Sequence, residues 1–467
     1  MATDQQQITL KVFVNKTNNC VAFGESDLDF VDVLLSFLTL PVGTVVRLLN
    51  KQSSLGCFDK LYQSVEQLDE KYLMTAACKS MLTNPVNSSG IKCQKLKINI
   101  DATGELYICS SSCCSYSSLS YYSGLKCQCG YDMTKAITYD LNRDDVNYKE
   151  FHGVFVKGAK FVVTDALCIT VIEDFISTLN ECRNGDRNHL EERLVQIERE
   201  QASFLYLSKS FNFLSLISDT PLTDVLLQNE EDMTPEVSVP SVEKTVEIKS
   251  FDEEKMYKVL CALASQDFVD LIFSFLTFPL GSLKKHLGNR CRIGCLDNLY
   301  GSAERLRSSG YVVAGCEEKL LNPKLPPHFN CESQVIGVEE EKQVIYYICY
   351  YCCKLSDTFC KSHGHGRQAK LIDPKSRSRG TISSQGSYCQ ELTYMVTDQL
   401  VVTPLSLAEV ISVRNEISDP IKMAELSIAE EEVLDFLGVV LTSNTALTDA
   451  FLESTIAVFA SVDVREG

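Results

Sequence analysis

Apolar and polar residues alternate at the start of the chain. Ile8 to Val14 alternates between the two kinds of side chain, and apolar residues return at Cys20 to Phe23 after the turn-forming segment Asn15 to Asn19. A period of two residues is typical of a strand with one buried face. The pattern therefore predicts a β-hairpin.

The hydrophobic period changes to that of a helix directly after this hairpin. Pro41 ends the first helix and can open a second, which we expect to run to about Leu49, because proline is tolerated in the first helical turn. A third helix is expected from Phe58 to Leu68. The apolar side chains that recur at helical spacing in the first helix are Leu28, Val31, Leu34, Leu35 and Leu38.

Further elements are expected up to about residue 216. The predicted strands are Leu96–Ile100, Leu106–Cys109 and Phe161–Val163. The predicted helices lie near Val171–Leu179, Leu190–Gln201 and Phe204–Leu216. This mixture of separate strands and helices predicts an α+β fold, with a cysteine-bearing insert among the strands.

The same pattern returns later in the chain. Asp29–Gly43 recurs as Asp267–Gly281, and this offset of 238 residues holds without a gap from Asp29 to Pro85, with 24 of 57 positions identical. Shorter matches follow for Val163–Thr170 at an offset of 233 and for Leu222–Leu227 at an offset of 225. Self-similarity over this length indicates a duplicated structural unit. We predict a tandem repeat of two similar domains.

The boundaries of the two units follow from this comparison. The first repeat unit is expected at residues 8–227 and the second at residues 250–455. Residues 228–249 are acidic, contain Pro235 and Pro240 and show no helical period, so they predict a linker. Each unit is expected to hold a β-hairpin, helices and a small mixed sheet with a Cys-rich, zinc-ribbon-like insert.

The two units differ informatively at their cysteines. The pair Cys127-Gln-Cys129 of the first unit becomes His363-Gly-His365 in the second. Zinc accepts both thiolate and imidazole ligands, whereas a packing site tolerates the larger, polar imidazole poorly. We therefore predict a structural zinc site in each unit. The predicted ligands are Cys109, Cys114, Cys127 and Cys129 in the first unit, and Cys349, Cys352, His363 and His365 in the second.

Several alternatives to this ligand set stay open. The spacings within each predicted set are less standard than two Cys-x2-Cys pairs, and adjacent cysteines leave the second ligand of each site ambiguous. Cys93, Cys331 and Cys360 are competing ligands. Buried thiols without a metal, or a redox or disulfide role, would also account for the cysteines.

Composition and charge restrict the class of protein. The chain has 467 residues, is 45% hydrophobic and carries a formal net charge of −18, so it can bury packed cores, while wholesale binding to nucleic acid or an anionic membrane is not expected. The sequence shows no secretory signal pattern and no uncharged apolar run of about 18 residues. We expect a cytoplasmic or nuclear protein without a membrane partner, whose 21 cysteines are thiols or metal ligands.

No familiar catalytic motif occurs in the chain. Gly153–Lys160 looks like a phosphate loop but lacks Gly-Lys-Ser/Thr, so a strand with a turn is the preferred interpretation. The basic stretch that runs from Arg367 through Lys370, Lys375 and Arg377 to Arg379 is interpreted as a solvated loop, with phosphate contact as the alternative.

These observations favour a non-enzymatic binding or scaffolding module with structural zinc and an unidentified protein partner. One alternative is an enzyme with an unfamiliar carboxylate site that uses Asp29, Asp32 or Thr164-Asp165. Another is nucleic-acid binding through the zinc-ribbon-like insert and the basic stretch.

The motifs of this chain resemble those of a plant family known as domain of unknown function 674. The resemblance covers nearly the whole chain and both units. It implies a plant source and a tandem arrangement, and it supplies no activity. The segments that carry it are Asp29–Gly43, Leu61–Val65, Lys126–Gly130 with Met133, Gly153–Gly158, Thr164-Asp165 and Leu447–Leu452.

Overall fold

The computed structural model has a mixed α+β architecture. It describes residues 7–101, 105–111, 118–139, 153–158, 160–175, 190–197, 220–227, 258–349, 351–352, 354–360, 362–376, 386–408, 411 and 422–455. The predicted linker at 228–249 and the predicted helix at 204–216 lie outside these ranges. We refer to the described residues up to 227 as the first half and to those from 258 onward as the second half.

The first half begins with strands and continues with short helices and further strands. Its strands are β1 (Ile8–Asn15), β2 (Cys20–Ser26), β3 (Leu106–Cys109), β4 (Ser118–Ser120), β5 (Leu125–Lys126), β6 (Asp132–Ile137), β7 (Phe161–Thr164), β8 (Ile169–Val171) and β9 (Leu190–Ile197). Its helices are α1 (Leu28–Ser36), α2 (Val42–Leu48), α3 (Phe58–Gln67), α4 (Ala76–Thr83), α5 (Gly90–Cys93) and α6 (Pro221–Leu226).

The second half repeats much of this order. Its strands are β10 (Cys261–Ala264), β11 (Tyr346–Ile348), β12 (Leu355–Ser356), β13 (Arg367–Leu371), β14 (Tyr394–Thr397) and β15 (Val402–Pro404). Its helices are α7 (Gln266–Ser274), α8 (Leu280–Leu287), α9 (Gly294–Ser308), α10 (Glu317–Leu321) and α11 (Glu430–Thr442).

The opening hairpin and the first three helices lie where the hydrophobic pattern predicts them. α1 ends in a 3-10 turn at Phe37–Thr39, and Pro41 directly precedes α2. The predicted strand at Leu96–Ile100 is wrong. Leu96, Ile98 and Ile100 are buried in alternation, but their backbone pairs with no described strand. Alternating burial is therefore not sufficient for a strand, which also requires backbone hydrogen bonds to a neighbouring strand.

The predicted helix at Leu190–Gln201 is also wrong, because residues Leu190–Ile197 form β9. This strand pairs antiparallel with the whole of β1, from Ile8 opposite Ile197 to Asn15 opposite Leu190. Most of its side chains are exposed. Charged side chains are typical of an outer strand protected from further pairing. A charged amphipathic pattern thus did not distinguish a surface helix from an edge strand here.

The two halves meet where α1 and α7 are followed by proline. The N–H of Val42 donates to the carbonyl of Phe278 at 2.9 Å, and the N–H of Leu280 donates to the carbonyl of Leu40 at 3.0 Å. These reciprocal bonds flank an antiparallel bridge between Pro41 and Pro279. The contact joins the halves through backbone that each proline holds extended.

Glycine follows each proline by two residues because the backbones approach closely. A Cβ atom on Gly43 would lie 3.0 Å from the carbonyl oxygen of Leu276, and one on Gly281 would lie 3.0 Å from that of Leu38. Both oxygens belong to the opposite half. Carbonyl oxygens of the same half would lie closer still, that of Leu82 at 2.7 Å from a Cβ on Gly43 and that of Leu320 nearer yet to one on Gly281. A larger residue at either position would therefore require the backbone to shift.

A buried carboxylate in each half fixes a later segment of the same half. Asp32 on α1 accepts hydrogen bonds from the N–H groups of Val154, Phe155 and Val156, the last two at 2.8 and 3.0 Å. The N–H groups of the segment that resembles a phosphate loop thus face an internal carboxylate. Burial raises the pKa of Asp32 to about 6, although these bonds oppose the rise.

Asp270 on α7 has the corresponding role in the second half. Its Oδ1 accepts from the N–H groups of Tyr388 and Cys389 at 3.0 and 2.9 Å. Burial raises the pKa of this carboxyl to about 6 as well. Each carboxylate therefore organises backbone that lies more than a hundred residues further along the chain.

The segments held by these carboxylates pair with the opposite half. The N–H of Val313 donates to the carbonyl of Phe155 at 2.8 Å, and the N–H of Met74 donates to that of Tyr388 at 2.9 Å. Two serine side chains on helices also bond the backbone of the opposite half. Ser302 Oγ accepts from Ile169 N–H, and Ser64 Oγ accepts from Val402 N–H. One continuous hydrophobic core spans both halves as a result.

Strands from both halves also form one sheet of seven, which we call the shared sheet. Its order is β12-β11-β13-β4-β3-β6-β5. The halves join where β13 runs parallel to β4. A second link, between Tyr139 and Leu355, connects the end of β6 to β12 and closes the strands into a ring. Its interior side chains are Leu106, Ile108, Leu119, Ile137, Tyr346, Ile348, Leu355, Ala369 and Leu371.

Substitution of Asp32 by asparagine is expected to destabilise the protein by about 2–4 kcal/mol, because an amide N–H would face backbone N–H groups in the core. Denaturant unfolding measures this change. Asp29→Asn is the matched control on the same helix, since Asp29 is 48% exposed and pairs with Lys97. The control should change the free energy of unfolding by less than about 0.5 kcal/mol. Equal effects of the two substitutions would contradict a structural role specific to Asp32.

The pKa of Asp32 also predicts a pH dependence. Its folded-state pKa of about 6 lies above the ordinary value of 3.8, so the folded state binds the proton more tightly. The stability contributed by this proton is present below about pH 4 and is lost as the pH rises through 6. The stability advantage of the wild type over Asp32→Asn should therefore shrink between pH 4 and pH 7, by at most about 3 kcal/mol. An advantage that grows with pH would contradict the assignment.

Candidate metal centre

Four metal-ligating side chains converge at one end of the second half's strands of the shared sheet. They are Cys349, Cys352, Cys360 and His363, and their ligand atoms all lie within 4.8 Å of one another. His363 Nδ1 lies 3.4 Å from Cys349 Sγ and 3.3 Å from Cys360 Sγ. Cys352 Sγ lies 3.9 Å from Cys360 Sγ.

These separations match the edges of a zinc coordination tetrahedron. Bonds of about 2.3 Å to sulfur and about 2.0–2.1 Å to nitrogen place two sulfur ligands about 3.8 Å apart and a sulfur and a nitrogen about 3.6 Å apart. The three separations given above agree with these values to within about 0.3 Å. Three thiolates and one imidazole can thus hold a metal ion without rearranging the backbone.

Two tight turns carry these ligands. The N–H of Cys349 donates to the carbonyl of Lys354 at 3.2 Å, which folds the chain between β11 and β12 around Cys352. The N–H of Gly364 donates to the carbonyl of Cys360 at 2.7 Å and closes the turn before β13. Gly364 has a φ of +67°, a conformation that favours glycine.

The structure brings together three of the four predicted ligands of the second unit. Cys349, Cys352 and His363 belong to the group, and Cys360 occupies the fourth position instead of His365. The His365 ring lies 4.8 Å from the ring of Tyr351 and 6.3 Å from that of His363. The spacings Cys349-x2-Cys352 and Cys360-x2-His363 were the signal for this set, which alignment to the first unit's Cys-x-Cys pair obscured.

A second group lies at β3 and β5–β6 of the first half. Cys109, Cys127 and Cys129 place their sulfur atoms within 4.8 Å of one another, and Cys109 Sγ lies 3.4 Å from Cys129 Sγ. Cys109 and Cys127 are buried, and Cys129 is disulfide-bonded. The fourth predicted ligand, Cys114, lies outside the described residues. This group is compatible with a metal ligand set and with thiol–disulfide chemistry.

The competing residues Cys93 and Cys331 belong to neither group. Both are buried, and burial raises the pKa of each thiol to about 12. Cys93 lies near the hydroxyl of Thr39, and Cys331 faces the carbonyl of Asp270. These cysteines pack as protonated thiols in the core.

The carboxylates considered for catalysis have structural partners. Asp29 pairs with Lys97 at 3.2 Å, and Asp32 holds the backbone of Val154–Val156. Asp165 accepts from the N–H of Thr223 at 2.8 Å, as Asp398 does from that of Thr448. In the described part of the chain, these side chains connect segments of the fold.

The basic stretch is distributed over different environments. Residues Arg367–Leu371 form β13 rather than a loop, with Arg367 and Lys370 exposed. Lys375 is buried, donates to the carbonyl of Asn330 and lies over the ring of Tyr388. Burial lowers the pKa of this ammonium group. Arg377 and Arg379 lie outside the described residues.

The model of a protein family described as "Protein of unknown function (DUF674)" matches residues 4–423 of the chain. The chain belongs to this family. No curated protein and no solved structure matches it. Among the residues that the structure describes, no helix has the length and apolar character needed to cross a membrane.

The ligand set of the Cys3His group in the second half can be tested by metal content. Cys360→Ser is expected to lower the metal bound per chain by one ion, because it removes a ligand. His365→Ala is the matched control two residues beyond His363 and should leave the metal content unchanged. Elemental analysis of the purified variants measures both. Loss of metal in His365→Ala together with retention in Cys360→Ser would contradict this set.

Proposed function

We propose that the chain is a non-enzymatic binding or scaffolding module stabilised by structural zinc. The observation that carries the proposal is the Cys3His group in the second half, whose four ligand atoms lie within 4.8 Å of one another and include three separations that fit a zinc tetrahedron. Soft thiolate ligands favour zinc over magnesium or calcium. Four protein ligands leave no open position for a substrate, which is typical of a structural site.

The proposal includes a tandem repeat of two similar domains, each with a zinc-ribbon-like insert. It is supported by contacts that recur at equivalent positions, among them Asp32 and Asp270, Ser64 and Ser302, and Asp165 and Asp398. In this arrangement each insert is a small strand unit, and zinc would stabilise what its limited apolar area cannot. The group in the first half would hold a second ion when its cysteines are reduced.

A non-enzymatic role is supported by the structural use of the carboxylates. Asp32, Asp165 and Asp270 all hold backbone N–H groups, so the acidic residues repeated between the halves serve the fold. We propose a protein as the binding partner. A cytoplasmic or nuclear location follows from the proposed zinc–thiolate sites, since reducing compartments keep cysteines available to zinc.

Removal of zinc is expected to loosen the shared sheet while the helical core stays folded. Chelation should lower the melting temperature, and added zinc, but not magnesium, should restore it. Hydrogen exchange should show lost protection at residues 346–371 and retained protection at residues 28–48. The residues 28–48 are the internal control, because they lie in the core at the junction of the halves.

Two results would contradict the proposal. Protein purified without metal, with all cysteines freely titratable in the native state, would remove the zinc sites. Turnover of a substrate that is abolished by altering a pocket, with the metal content intact, would remove the non-enzymatic assignment.

A further inference from the structure

The outer surface of the Cys3His group in the second half carries a groove with a volume of about 600 Å³. The groove is lined by Tyr351, His365, Gly366 and Arg367. We propose that this groove binds single-stranded nucleic acid, with a base stacked on Tyr351 and the adjoining phosphate on Arg367. The inference rests on the proposed function, because zinc would hold the two turns that form the groove.

The lining residues are interleaved with the metal ligands. Tyr351 lies between Cys349 and Cys352, and His365 follows His363 by two residues. The Tyr351 ring centroid lies 5.1 Å from that of His363 and 4.8 Å from that of His365. The metal would therefore fix the position of the aromatic surface. A preorganised surface loses less conformational entropy when it binds a ligand.

Tyr351 is unusually exposed for a large aromatic side chain. It is 74% accessible, although its neighbours Cys349 and Cys360 are buried. Phe359, on the same insert, is 56% accessible, and its ring lies 4.7 Å from that of Tyr347 at a tilt of 48°. Exposed aromatic rings held on a rigid support are the usual platforms on which unpaired bases stack.

The absence of a side chain at Gly366 leaves room for Tyr347 and Phe359. A Cβ atom at this position would lie 3.0 Å from Tyr347 Cβ and 3.5 Å from Phe359 Cδ1. Gly366 also lines the groove beside Tyr351 and His365. The second aromatic pair thus adjoins the groove and offers a place for a neighbouring base.

The local charge is opposite in sign to that of the chain. Among the described residues from 346 to 371, Lys354, Arg367 and Lys370 are positive and Asp357 is negative. All four are exposed. The net charge of −18 opposes binding over the whole surface, but charges beyond about 8 Å are largely screened at physiological salt. A zinc ion with three thiolate ligands would add one negative charge, which leaves these described residues with a net charge of about +1, so the positive charge that a phosphate would meet is chiefly that of Arg367.

The combination of residues favours a nucleotide over other ligands. A methylated ammonium group also binds aromatic rings, but Arg367 would repel it. A base and its phosphate use both the ring faces and the guanidinium. The bases of a duplex are already stacked on each other and offer no free face to Tyr351, so the ligand is a single strand with splayed bases.

The test is fluorescence anisotropy of the full-length, zinc-loaded protein with a labelled 12-nucleotide oligouridylate. Tyr351→Ala is expected to weaken binding about tenfold, because one stacked base contributes about 1–3 kcal/mol. Tyr351→Phe keeps the ring and should bind within about twofold of the wild type. Tyr131→Ala is the matched control, since Tyr131 is 59% exposed and follows Gly130, the counterpart of Gly366 in the first half.

A second variant tests the phosphate contact. Arg367→Gln should weaken binding at low salt and reduce the slope of log affinity against log salt concentration by about one. Lys354→Gln changes a charge on the same insert away from the groove lining and should affect the slope less. The bound zinc of every variant is measured on the same samples.

Three results would overturn the inference. They are zinc-loaded wild-type protein that does not bind the oligonucleotide, Tyr351→Ala that binds as the wild type does, and a poly-glutamate peptide or a duplex of equal length that binds as tightly. The last result would indicate that the patch recognises charge alone and would favour an acidic protein as the ligand. Because zinc is quantified separately, failure to bind with zinc present contradicts only this inference, whereas absence of zinc contradicts the proposed function.

Discussion

The backbone contact between Pro41 and Pro279 is the constraint on which the architecture depends. Its two reciprocal hydrogen bonds bring the ends of α1 and α7 together, and glycine two residues later allows the chains to approach. Once this junction is formed, α3 and α9 lie beside strands of the opposite half. The buried carboxylates Asp32 and Asp270 then hold the segments that cross between the halves. The shared sheet and its metal-ligating turns are built on that frame.

The position of the metal group follows from the shared sheet. β11 and β13 pair with each other, so the turns at their ends, which carry Cys349 and His363, meet at one edge. The parallel pairing of β13 with β4 attaches this edge to the first half. The cluster is therefore peripheral to the main core, and its small apolar area explains why a metal would contribute to its order. The same peripheral position exposes Tyr351 and Arg367 to solvent.

The hydrophobic pattern of the sequence predicted the strands and helices that depend on interactions between neighbouring residues. The hairpin and α1 to α3 follow from clear periodicity and from Pro41. Three of the four residues of the Cys3His group in the second half were predicted from the chemistry of their side chains. The edge strand Leu190–Ile197 was missed because its partner, β1, lies far away in sequence. Cys360 was considered only as a competing ligand, because the comparison of the units emphasised the Cys-x-Cys pair. No local signal specifies which half supplies the partner of Met74 or Val313, so the exchange between halves could not be predicted.

The exchange between the halves has a consequence for synthesis of the chain. Ser64 bonds Val402, a partner 338 residues later, so the first half leaves the ribosome long before its supports exist. Distant contacts of this kind slow folding and leave apolar surface uncovered for longer. The second half, by contrast, emerges when the first half is already present, so the contacts between the halves can form as it appears. The order of translation thus leaves the first half exposed to misfolding for longer than the second.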